Sequence, residues 1–375
     1  MDNQVLPPSH VQIHGSTDSQ FRAPEIRPSQ AVLVKSPLAA VAGHRPFLSH
    51  INHFRAVAIL LIVALHCYSI LQLGAEPYFL RRATLPFMFI SGFLFQYLSA
   101  RFNRTVYWQK KLRYILFPYV VVSTPIILFR IAAASYSSDI LSLFPGFATQ
   151  PAALQALEYY ASGLHLVPFW FIPMICCYYL LAPVFIKLDR QGLVYYFLPV
   201  FLLLSLLVTR APEVYKIHLA FVHYLSVYLL GMFVSRHNRR VLEITDKLWP
   251  LLAVLVVVAL TSSDLVVGVH KRYVEQFLFI QKLVFCWGLM YGFWKFDGYI
   301  PKQLSAISER SFGIFFLHYY PLFALDVADY KGYFHLPPTF ASFCLIFLVD
   351  LAFCLVMLQL IKGLFGARSR LLVGY

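Results

Sequence analysis

The sequence predicts an all-α polytopic membrane protein of about ten transmembrane helices with both termini on the cytoplasmic side. Three observations carry that expectation. Of 375 residues, 59% are hydrophobic and only 13% charged, and the mean hydropathy is +0.67, whereas soluble chains carry about 25% charged residues. Apolar windows recur at 54–73, 83–100, 114–134, 167–186, 193–209, 217–235, 248–269, 276–294, 311–329 and 340–361, each about long enough to cross ~30 Å of hydrocarbon. If the chain starts inside and crosses at each window, 22 of the 31 Lys and Arg residues fall on the inner side, as cytoplasmic retention of basic residues demands.

Taken in order, residues 1–46 are rich in Pro, Ser and Gln and read as a disordered cytoplasmic tail. Their best apolar block, AVLVKSPLAAVAG, is broken by Lys35 and Pro37, so it lacks the core of a signal peptide. Residues 47–365 form the ten-helix membrane domain, and 366–375 a short basic cytoplasmic tail. The seventh window carries the polar stretch TSSD (Thr261 to Asp264) near one end, and the ninth carries Asp326 and Asp329, the two least regular spans. No internal repeat is visible, which argues against a transporter built from duplicated halves.

The formal charge of +14 is large, but the basic residues lie in short loops between spans. Topology accounts for them, so membrane lipids are expected as partners and nucleic acid is not. Cys67, Cys176, Cys177, Cys286, Cys344 and Cys354 all sit in apolar runs, with neither zinc spacing nor the loop placement of disulfides. They read as free thiols, and no metal is expected.

Candidate chemistry begins in the first window, FRAVAILLIVALHCYSI. Eleven residues separate Arg55 from His66, a rise of about 16 Å that ends near mid-hydrocarbon. Eleven steps of ~100° return the helix to within ~20° of its starting face, so the two side chains share one stripe. An arginine at the interface suits phosphates, and a histidine at depth suits a base. A snorkelling arginine with a histidine hydrogen-bonded across helices explains the same spacing.

In the second window, RRATLPFMFISGFLF, Arg82 is a cation on the side poor in positive charge, suited to an anionic or sugar-linked acceptor. Ser91-Gly92 reads as a close-packing step between helices or as part of a substrate path. WQKKLRYILFPY places Lys110, Lys111 and Arg113 within one turn, explained either by topology or by the phosphates of a nucleotide-bearing co-substrate. Trp170 reads as an interface aromatic or a sugar-stacking platform. Glu76 and Glu158 are acids of the outer loops. Glu309 and His318 are nine residues apart, about 900° of helix, hence on opposite faces unless the helix begins after Glu309.

Five stretches in this order resemble the acyltransferase family 3 of integral membrane proteins, which includes bacterial O-acetyltransferases of exopolysaccharide, lipopolysaccharide O-antigen and Nod factors. Arg55 and His66 match its Arg-x10-His pair. PFMFISGFLF, KKLRYILFPY, FWFIPMICCYYLLAPVF and SERSFGIFFLHYYP are similar to its later motifs. Two positions depart from the pattern. Lys110 replaces the first arginine of an Arg-x-x-Arg pair and offers no planar fork, and Phe316-Leu317 stands where Tyr-Leu is usual.

The resemblance covers about residues 47–365. It implies ten core spans in a bacterial inner membrane, acyl-CoA (acetyl-CoA first) as co-substrate, and a lipid-linked or nascent glycan as acceptor. His66 is then the base or the acyl-carrying nucleophile, with Arg55 and Glu309 beside it in the catalytic set. Arg55, Lys110, Lys111 and Arg113 would bind the CoA phosphates, and Arg82, Ser91, Trp170 and His318 the acceptor. The rival reading is a polysaccharide exporter or flippase without transfer activity.

Overall fold

A computed structural model describes residues 48–73, 80, 83–208, 216–262 and 273–375. The expected tail 1–46, Glu76, Arg81, Arg82 and Asp264 lie outside the described residues. Among those described, every regular element is helical.

In chain order the helices are α1 (Ser49–Ile70), α2 (Thr84–Leu98), α3 (Arg104–Lys111), α4 (Phe117–Ala132), α5 (Ser138–Leu143), α6 (Ala152–Ser162), α7 (Phe171–Leu180), α8 (Ala182–Gln191) and α9 (Leu198–Leu207). They continue as α10 (Ile217–Arg236), α11 (Asn238–Lys247), α12 (Trp249–Thr261), α13 (Val274–Lys295), α14 (Lys302–Leu317), α15 (Tyr319–Tyr330), α16 (Phe340–Phe365) and α17 (Ser369–Val373).

Each of the ten apolar windows contains helix among the described residues, but the helices do not all match the windows in length. Among the described residues, six are long and apolar enough to cross a membrane: Ser49–Ile70, Arg104–Ala132, Ile217–Arg236, Val274–Lys295, Lys302–Tyr330 and Phe340–Val373. The number rises to eight if two bent pairs cross once each, Ala152–Ser162 with Val167–Leu180 (69°) and Asn238–Lys247 with Trp249–Thr261 (84°). The chain is thus a multi-pass membrane protein. Prolines account for much of the shortening. Pro183, Pro199 and Pro250 stand in the first turns of α8, α9 and α12, where a missing N–H costs nothing but where a preceding helix cannot run through.

The direction of the helices follows from side-chain contacts. The Arg55 guanidinium of α1 meets Ser308 of α14, and farther along both helices His66 meets Tyr319, so α1 and α14–α15 run parallel. Phe129 of α4 packs on Phe323 of α15, and the Tyr320 hydroxyl donates to the Val122 carbonyl, so α4 runs the same way. Because α1 and α4 are parallel, α2 carries the chain back between them.

Two clusters form the interior, and α1 belongs to both. Ile51, Phe54 and Ala58 pack with α2, α7, α10 and α13, whereas Ile59, Val63 and Cys67 pack with α4, α14, α15 and α16. The tightest contact is α2 against α10. A Cβ on Gly92 would lie 1.9 Å from the Tyr228 carbonyl oxygen, and one on Gly231 would lie 2.1 Å from that of Phe89. Small residues allow such backbone approach in membranes, so the packing reading of the Ser91-Gly92 step holds for Gly92. Leu251, Val254 and Val257 of α12 and Leu345, Leu348 and Val356 of α16 are exposed, as lipid-facing surfaces require.

Candidate active site

The site is built where α1 lies along α14. Arg55 and His66 are expected to share a face, and both contact the consecutive helices α14 and α15 or the residue between them. The Arg55 Nε–H donates to Ser308 Oγ at 2.9 Å, and its Nη2–H donates to Asn52 Oδ1 at 3.2 Å. Ser308 Oγ donates in turn to the same Asn52 oxygen at 2.6 Å, closing a triangle. Asn52 lies one turn before Arg55 on α1, the spacing at which helical side chains meet. Beside the triangle, His53 Nε2 and Ser305 Oγ are 3.0 Å apart, and His53 Nδ1 lies 3.5 Å from Asp297 Oδ1.

Three turns farther along α1, the His66 ring packs against the rings of His318 (centroids 5.4 Å, tilt 35°) and Tyr319 (5.3 Å, near-perpendicular). His66 is half-buried, whereas His318 is fully buried. His318 Nδ1 lies 2.9 Å from the Phe315 carbonyl and 3.1 Å from that of Ile314. A carbonyl only accepts, so Nδ1 carries the proton. Nε2 is buried and has no hydrogen-bond partner among the described residues.

Beyond Tyr319 stands Arg130, at the end of α4. Its Nε–H donates to the His165 carbonyl at 2.6 Å and its Nη1–H to the Ser135 carbonyl at 3.0 Å, and its guanidinium lies 4.9 Å from the Phe323 ring. Tyr319 and Asp326 both lie within its electrostatic reach. Arg130 and Ser308 escaped the sequence reading. An arginine closing the apolar run PIILFR was the available signal for the first, and a serine inside the quoted SERSFG stretch for the second.

The other expected site residues are placed apart. Helix α14 begins at Lys302, before Glu309, and turns Ser308 inward and Glu309 outward. Glu309 therefore acts on Arg55 only through its field, and it makes no pair with His318. Ser91 is half-buried on α2. Trp170 is buried in the core with its ring stacked on Tyr224 at 6.3 Å.

The three cations of WQKKLRY diverge. Lys110 is exposed. The Lys111 ammonium lies over the rings of Tyr179 (4.0 Å) and Tyr107 (5.3 Å). Arg113 lies over Tyr114, on a π-helical turn, Leu112–Leu116, in which the Phe117 N–H bonds the Leu112 carbonyl. Pro118 explains that turn: it has no N–H for the Tyr114 carbonyl, and the wider turn accommodates its ring.

Comparison with known proteins gives one family. The model of the acyltransferase domain family, Acyl_transf_3, matches residues 48–359. No curated protein and no solved structure matches the chain. The match spans most of the sequence and contains both α1 and α14, and the chain belongs to this acyltransferase family.

Proposed function

We propose that this membrane acyltransferase moves an acyl group, acetyl in the first instance, from acyl-CoA to a hydroxyl of a bacterial surface or exported polysaccharide or its lipid-linked precursor. The observation that supports this most directly is the shared register of Arg55 and His66 against the consecutive helices α14 and α15, one held by Ser308 and the other by His318 and Tyr319. In this reading the protein sits in the bacterial inner membrane with ten crossings and both ends inside. The return of α2 between the parallel α1 and α4 supports counting it as a crossing.

His66 takes the proton of the acceptor hydroxyl as its oxygen attacks the thioester carbonyl. The C–S bond then breaks, and the CoA thiolate leaves with the proton that His66 returns. Arg55 and Arg113 bind phosphates of the donor, with Lys110 and Lys111 adding to the field at that end of the bundle. Arg130 and, on the sequence reading, Arg82 bind the acceptor or the developing oxyanion. His318, its Nδ1–H held by the Phe315 and Ile314 carbonyls, packs behind His66 and keeps its ring in place.

The test is mass spectrometry of the surface polysaccharide from cells carrying the wild-type gene, no gene, or His66→Ala. Ester groups should disappear in the last two while the polymer is still exported. Polymer retained inside the deletion strain would favour the exporter reading instead.

A further inference from the structure

At the end of the bundle where Arg55 meets Ser308, the segment after α16 folds back and forms an open cleft of about 700 Å³ against the π-helical turn. Arg113, Tyr114, Lys362, Ser369, Arg370 and Tyr375 line it. Three cations converge there, and no carboxylate side chain is among the lining residues. Like charges gathered in one place repel, and a bound polyanion relieves them.

The pocket is built rather than incidental. The Arg370 guanidinium lies 4.5 Å from the Tyr114 ring centre, on which Arg113 also rests. Lys362 lies 4.3 Å from the Tyr375 ring and donates to its hydroxyl at 3.1 Å. The returning segment is anchored by the buried side chains of Ser369 and Val373, and Ser369 Oγ donates to the main-chain oxygen of Tyr375 at 2.5 Å. Gly374 makes the final turn possible. Its φ is +77°, and a Cβ there would lie 2.6 Å from the Phe312 ring. Arg310, two residues beyond Ser308, lies 5.1 Å from the Tyr375 ring, so a single turn of α14 touches both this pocket and Arg55.

We propose that this pocket binds phosphate groups, and that its ligand is the phosphate-bearing nucleotide end of the acyl donor. The proposal rests on the acyl-transfer reading above. It assigns the binding to residues 362–375, which lie past the residues matched by the family, together with Arg113 and Tyr114. An anionic phospholipid headgroup offers the same chemistry, and the test separates the two.

The full chain is placed in nanodiscs, and adenosine 3′,5′-bisphosphate is titrated as the probe. In Lys362→Ala/Arg370→Ala, both sites being exposed, probe affinity should fall about tenfold or more, and KM for acetyl-CoA should rise by a similar factor, more than kcat changes. Unchanged affinity and KM would overturn the proposal. So would a gain in phosphatidylglycerol binding over phosphatidylcholine that the double variant loses while KM stays constant, since the pocket would then be a lipid site. His66→Ala should bind the probe as the wild type does. Probe binding that the double variant loses, in a wild-type protein that transfers no acyl group, would support the pocket and reject the enzymatic reading.

Discussion

His66 and His318 lie with ring centroids 5.4 Å apart, although 252 residues separate them in the chain. Their environments differ. His318 is fully buried, with Nδ1 committed to main-chain carbonyls, while His66 is half-buried. A base that must meet a substrate needs access, and a group that orients it needs rigidity. The asymmetry fits His66 to the first role and His318 to the second.

His66→Ala is expected to abolish acyl transfer with normal membrane insertion. His318→Ala should lower kcat by about 10²-fold, the order of loss that a small misplacement of a catalytic group produces. Transfer from radiolabelled acetyl-CoA, with protein level followed by immunoblot, checks both. Normal glycan acylation in His66→Ala would sink the assignment.

Arg55→Lys keeps the charge but loses the fork that reaches Ser308 and Asn52 together. Hydrogen bonds to charged groups are worth about 1.5–3 kcal/mol, so transfer should fall about tenfold or more. Ser308→Ala, which removes one arm, should show the smaller loss in the same assay.

Gly92→Leu and Gly231→Leu drive side chains into the Tyr228 and Phe89 backbones. Backbone cannot yield as a side-chain tip can, and a destabilisation of about 3 kcal/mol or more is expected. Fluorescence-detected size-exclusion after heating in detergent should show a lower melting temperature for both. A wild-type melting profile would refute the close α2–α10 approach.

Asp189 ties the end of α8 to α10. It accepts from the Tyr195 hydroxyl at 2.5 Å and from Arg236 Nη1 at 3.2 Å, and Arg236 also donates to its carbonyl. Asp189→Ala leaves the Tyr195 hydroxyl and the partly exposed Arg236 without that carboxylate, at an expected cost of about 1–3 kcal/mol. The same thermal assay should register it, while Asp189→Asn should recover part of the loss.

Much of the architecture was legible in the sequence because hydropathy and helical phase are local properties. Ten apolar windows contain helix among the described residues, and the eleven-residue spacing put Arg55 and His66 on one stripe, which α14 and the start of α15 occupy. The nine-residue spacing likewise separated Glu309 from His318. Helix length was less legible, since Pro183, Pro199 and Pro250 restart helices inside or at the edge of windows that hydropathy alone runs together. Trp170 shows another limit: composition allows a membrane-interface ring or an open platform, and its stacking on Tyr224 in the core is set by a residue 54 positions away.

The sequence by itself determined the helical membrane class, the family motifs and the face that Arg55 and His66 share, because each depends on neighbours within a few turns. Tertiary structure alone decided that Ser308 holds Arg55, that His318 backs His66, that Arg130 stands beyond Tyr319, and that the segment after α16 returns to Arg113. Those pairings are made by helices packing across the bundle, and no local period in the chain specifies which helix will be the neighbour.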